Sequence, residues 1–165
     1  MATVTKTNAK KLRQFVGAPY GNVWRDRFVF KTNASGIMPD SDSAAAVADE
    51  DKVVLGLLPA GLELHGSLAI VSDAFTAATT AKIGFEYADG VDSAEVPQDD
   101  DYFHAALATS AAGRSAANNT AVMPVKLPKD ALLTLVVGGA AHASAGRLDF
   151  IVEGIWTGQP SADPS

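Results

Sequence analysis

The side chains able to do chemistry are scattered along this chain. The three histidines, His65, His104 and His142, fall in separate segments, none has a second His at ligand spacing, and there is no cysteine. A zinc site needs three or four convergent ligands, so the histidines read as structural or surface residues. The run Asp99, Asp100, Asp101, with Asp89, Asp92 and Glu95 upstream, could offer oxygen ligands to calcium. It departs from the D-x-D-x-D-G loop, and adjacent aspartates are expected to point their carboxylates apart, so it reads as a solvated acidic loop. The same holds for PDSDS at 39–43. Ser35 and Ser67 lie in no G-x-S-x-G elbow, and no G-x-x-x-x-G-K-[ST] or G-x-G-x-x-G phosphate cradle is present. No catalytic, cofactor-binding or metal-binding residue is assigned, and no enzyme is expected.

The elements that would position such residues are strands. Between 52 and 89 the apolar residues alternate: Leu62, Leu64, Leu68 and Ile70 share one parity with Gly66 between them, and after a small-residue connection Ile83, Phe85 and Tyr87 do the same. Further strands are expected at 27–32, with Phe28 and Phe30 inward, and at 52–57, 101–108, 122–127, 131–137 and 146–156. Tyr102 and His104 are expected on one side of 101–108 and Phe103 on the other. The proline-bearing 122–127 suits an edge, and ALLTLVV at 131–137, apolar on both parities, suits a strand buried on two faces or at a subunit contact. Segment 33–50 reads as a long loop with a short helical turn at 43–48, and TSAAGRSAANNT as an excursion that does not pack. About eight strands with uneven connections and almost no helix predict an all-β, antiparallel two-sheet sandwich, jelly-roll-like.

At 165 residues the chain fits one domain. Apolar residues make up 47% of it, but many are alanine, so the core must rest on fewer large side chains. No apolar run approaches the ~20 residues that span a bilayer, and the polar start MATVTKTNAKK lacks the apolar stretch of a secretory signal. A protein made and used without export, with no membrane partner, is expected. The net charge of −6 is unevenly placed. Residues 1–31 hold seven basic residues against one acid, +6; the rest hold six against eighteen, −12.

This divides the chain into an extended N-terminal arm (1–25), a sandwich domain (26–157) and a C-terminal tail (158–165). A basic arm on an acidic body suits a segment that reaches a partner surface. The expected partner contacts are Leu12, Phe15, Tyr20 and Trp24 as apolar anchors, with Lys10, Lys11, Arg13 and Arg25 as charge partners. So few charges, spread over thirty residues and joined to an acidic body, disfavour nucleic acid as the partner and favour protein. Sugar binding is the alternative. It lacks three aromatics on one face, because Trp156 falls on the inward parity while Trp24 and Tyr20 lie in the arm.

At VVLGLLPAGLELHGSLAIVSDAF and AKIGFEYADG, and again at the closing GRLDFIVEGIW, the chain resembles the head decoration or cement proteins of tailed bacteriophages, over roughly residues 50–157. The resemblance implies a jelly roll on the outer surface of an icosahedral shell that clamps neighbouring major capsid proteins. It also implies a virion location after synthesis in the host cytoplasm, and self-association at a local symmetry axis as a dimer or trimer.

Overall fold

The computed structural model describes residues 1–7, 22–119 and 124–157. Among these the chain is all-β, and no helix is long and apolar enough to cross a membrane. The ten strands are β1 (Thr3–Thr5), β2 (Val23–Thr32), β3 (Lys52–Leu58), β4 (Leu62–Asp73), β5 (Thr80–Tyr87), β6 (Asp99–Ala108), β7 (Gly113–Ala116), β8 (Val125–Lys126), β9 (Ala131–Gly138) and β10 (Gly146–Trp156). They form two five-stranded sheets. The first runs β1-β3-β9-β5-β6; the second runs β2-β10-β4-β7, with β8 also on β4. Every pairing is antiparallel except β1 on β3, which is parallel.

The core lies between the sheets. Phe28 and Phe30 of β2 and Leu148, Phe150 and Val152 of β10 face Ile83, Phe85 and Tyr87 of β5 and Leu133 and Leu135 of β9, all buried. Period-two alternation therefore holds along β2, β5 and β10. Strand β9 is buried on both parities because it is central, between β3 and β5, and Leu132 on its outer side packs with Val54 and Leu57.

Four local expectations are corrected. Along β4 the inward set is Leu62, Leu64, Ser67, Ala69 and Val71, whereas Leu68 and Ile70 turn outward. The cause is a bulge: Glu153 pairs with Gly66 and Gly154 with Leu64, so His65 is an extra residue and the faces exchange beyond it. In β6, Tyr102, Phe103 and His104 are all buried instead of alternating. There Ile83 pairs with His104 but Phe85 with Asp99, so two steps on β5 face five on β6. Residues 43–48 form no helical turn; Ile37 bridges Ala46, and Met38 and Val47 enter the core. Finally, GRSA at 113–116 is strand β7, paired on β4 through Leu68–Val71, with none of its four residues buried and so no inward parity to read.

Candidate interaction site

The arm begins as part of the body. Thr3–Thr5 adds to the edge of β3, and Val4 is buried in the core. The Asp51 carboxylate accepts the Ala2 N–H (2.8 Å), Asp42 accepts the Thr5 N–H (2.9 Å), and the Lys6 ammonium donates to the Val29 carbonyl (3.3 Å). The Thr7 N–H bonds the Asp40 carbonyl. Lys10, Lys11, Leu12, Arg13, Phe15 and Tyr20 lie outside the described residues, as does the tail 158–165.

Trp24 and Arg25 belong to β2, which starts at Val23. Trp24 is 8% exposed, its ring 6.4 Å from that of Phe28, so most of its area is used by the protein's own core. Arg25 is exposed and pairs with Glu153 at 2.7 Å. Two further cations of β2 also meet acids, Arg27 with Asp149 (3.7 Å) and Lys31 with Asp40 (3.0 Å). Arg147 holds Asp149 through two bonds of 2.7 and 3.0 Å, which keeps that carboxyl below its ordinary range. Charges on this face are thus largely matched within it. Between them Val29, Leu68, Ile70, Ile151 and Ile155 stand half-buried on the outer side of the second sheet, with Val23 80% exposed.

The first sheet presents a different outer face. A trough of about 560 Å³ crosses it, floored by Thr80, Val136, Gly138 and Ala105. Asp49, Glu50 and Asp100 stand in its walls with Lys82. Lys82 lies 3.7 Å from Asp100, whereas Asp49 and Glu50 have no ion-pair partner among the described residues.

The three aspartates at the head of β6 do not diverge as expected. Their oxygens come within 4.8 Å of one another, because the irregular register against β5 turns neighbouring side chains together. The Asp101 N–H donates to Asp99 (3.0 Å), Asn119 donates to the Asp101 carboxylate (3.2 Å), and burial together with Asp99 and Asp100 pushes the Asp101 carboxyl up. Asp100 remains exposed, and the group is the part of the described surface whose oxygens are close enough to share a cation.

The histidines do not meet. His65 is exposed and 3.0 Å from Glu63. His104 is buried, which lowers its pKa, with Asn118 opposing in part. His142 is wedged edge-on against Phe30 and Phe75, ring centroids 5.3 and 4.8 Å away, and burial pushes it down to about 4. Trp156, expected inside, is 45% exposed at the end of β10, where its indole N–H donates to the Ala60 carbonyl (3.1 Å). The outward-turned Leu68 and Ile70, the trough and the close aspartates were all missed by reading alternation, and Gly66 and Gly84 were the only local signals of irregular pairing.

These features define a two-sheet β-sandwich with outward-facing apolar and acidic surfaces. Its fold recurs in known assemblies. One is a chain from the capsid of Ralstonia phage GP4, with a TM-score of 0.64 and 16% identity over 98% of this chain and 100% of that one. Another is a chain from the capsid asymmetric unit of Cyanophage Pam1, with a TM-score of 0.55 and 13% identity over 91% and 94%. At these identities the likeness is one of fold. No protein-family model and no curated protein sequence matches the chain.

Proposed function

We propose that this chain is a virion structural protein that decorates a bacteriophage capsid and cements it by bridging neighbouring major capsid proteins, performing no reaction. The observation that carries this reading is the end-to-end likeness, covering 98% of this chain, to a chain of a phage capsid. Two surface features support the cement role. The run between Thr7 and Asn22 joins two points anchored on the body, since Thr7 bonds Asp40 and the Asn22 carbonyl accepts the Trp156 N–H at 2.7 Å. A fourteen-residue segment held at both ends can engage a neighbour with less ordering cost than a free tail. The second sheet also offers half-buried apolar side chains among charges already matched, so covering that face strands little charge. Lys10, Lys11, Leu12, Arg13, Phe15, Tyr20, Trp24 and Arg25 are the contact residues of this reading, Trp24 offering only the edge that the core leaves uncovered. Many such contacts repeated around a shell would make weak ones strong.

The test keeps the body intact. Removing residues 1–25 would delete β1 and cut into β2, so Lys10, Lys11 and Arg13 are changed to Ser and Leu12, Phe15 and Tyr20 to Ser within the full chain. Particles lacking the protein are then incubated with either form. Loss of particle binding, and of the rise in the temperature at which DNA escapes, is expected. Unchanged saturation and unchanged particle stability would overturn the reading.

A further inference from the structure

We propose that the acid-walled trough on the first sheet seats the cationic run Lys10, Lys11 and Arg13 of a second copy of this chain. The inference rests on the reading of the arm as a contact element and names one neighbour it contacts. The first argument is charge. The cations Arg25, Arg27 and Lys31 meet Glu153, Asp149 and Asp40, and Lys6 is held on the Val29 carbonyl, so the remaining basic density of the leading segment lies in three residues out of four at 10–13. Opposite in sign, Asp49 and Glu50 stand at the trough with no ion-pair partner among the described residues, and Asp100 is met by Lys82 only at 3.7 Å. Shape agrees: Ala105 and Gly138 keep the floor low, and a volume of about 560 Å³ has room for several residues of extended chain.

Connectivity then favours another copy over the same one. From Ala2 to Lys6 the chain runs along β3, bonded to Lys52 at one end and Val54 at the other, and so travels about 13 Å away from the Met1 end that lines the trough. The four residues from Lys6 to Lys10 span at most ~14 Å fully extended. A return within one chain would have to reverse at Thr7, which is pinned to Asp40, and would use that whole length to bring Lys10 level with Ala2, leaving only the ~10 Å from Lys10 to Arg13 to enter the trough. A neighbouring copy is under no such constraint, and a contact of arm to trough is heterologous, so it closes into a ring when the rotation permits.

The absence of cysteine allows a direct test. Full-length Asp49→Cys and Lys11→Cys proteins are mixed and oxidised mildly, and the Asp49→Cys/Lys11→Cys double variant is oxidised alone at low concentration. A covalent dimer in the mixture, little in either single variant, and dimers or larger species without intrachain closure in the double variant are expected. By sedimentation at low salt, Asp49→Asn with Glu50→Gln should weaken self-association about tenfold. Exchange of charge, Asp49→Lys and Glu50→Lys with Lys10→Glu and Lys11→Glu, should restore it. A wild-type protein that stays monomeric, self-association indifferent to the trough variants, or an intrachain disulfide in the double variant would each overturn the proposal. Particle binding by the same trough variants is scored separately: retained binding with lost self-association upholds the arm-to-trough contact, whereas lost particle binding with intact self-association removes the trough from copy-to-copy contact.

Discussion

The carboxylate of Asp51 accepts the backbone N–H of Ala2, forty-nine residues away in sequence, and its second oxygen accepts the N–H of Ala48 at 2.9 Å. Asp51 is 6% exposed, and both bonds are part-buried. This residue ties β1 to the corner where β3 begins. Asp51→Ala removes two charge-assisted bonds from part-buried donors and should cost about 1–3 kcal/mol in denaturant unfolding. Amide exchange gives the more specific readout. The Lys6 N–H, bonded to the Val54 carbonyl, should lose protection well before the amides of β9, and uniform loss across both strands would show that Asp51 acts on the whole fold instead.

Gly56 of β3 faces the ring of Phe28 across the sandwich, and a Cβ placed on it would stand 2.3 Å from the ring. Phe28 is 3% exposed and cannot swing into solvent without opening the core. Gly56→Ala should therefore destabilise by about 1–3 kcal/mol through overpacking. Gly66→Ala serves as the control, because nothing lies within 4 Å of a Cβ there. If the two variants unfold at the same denaturant concentration, the sheets are not in contact at this point.

The contrast between those glycines also shows what was legible in the sequence. Wherever pairing is regular, alternation named the buried face: Phe28 and Phe30 in β2, and Ile83, Phe85 and Tyr87 in β5. Alternation counts residues, however, and a bulge adds one without changing composition. Gly66 looked like a small filler in the inward row of β4, but the extra His65 beside it sends Ser67 inward, its hydroxyl without a partner among the described residues, and turns Leu68 and Ile70 out. The sandwich was thus readable while the outer face of its second sheet was not. The first seven residues illustrate a second limit, since three residues of TVT carry too little pattern to mark a strand that exists only because β3 offers an edge.

Tyr87 secures the acidic loop that follows β5. Its hydroxyl donates to the Val96 carbonyl, and Lys129, 4.7 Å from the ring centroid, donates to Asp89 and to the Val91 carbonyl. Tyr87→Phe keeps the ring and removes the bond, so a loss of about 1 kcal/mol is expected. Limited proteolysis at 89–98 should accelerate while cleavage elsewhere does not. Equal protection of that loop in both proteins would mean that its other bonds, those of Lys129 and of Gln98 with Asp92, hold it without the hydroxyl.

His142 makes stability depend on pH in a stated direction. Its ring stands edge-on to the stacked pair Phe30 and Phe75, its backbone N–H donates to the Val47 carbonyl at 2.8 Å, and Gly36 fits against its carbonyl where a Cβ would come within 1.9 Å. Two loops are thereby clamped on one end of the sandwich. Burial pushes the imidazole down to about 4, against 6.5 for the ordinary group. Between those values the unfolded chain holds a proton that the folded chain does not, so stability falls as pH is lowered from about 6.5 and levels off below about 4, where the folded form is protonated too. His104, also lowered by burial, adds in the same direction; the raised Asp101 carboxyl works against them above 3.8, and Asp149 acts only below that value. His142→Phe retains an aromatic ring against the stacked Phe30 and Phe75 and cannot take up the proton. Its urea midpoint should fall less than that of the wild type between pH 7 and pH 4.5, and an identical slope in both proteins would assign the acid sensitivity to His104 or to another group.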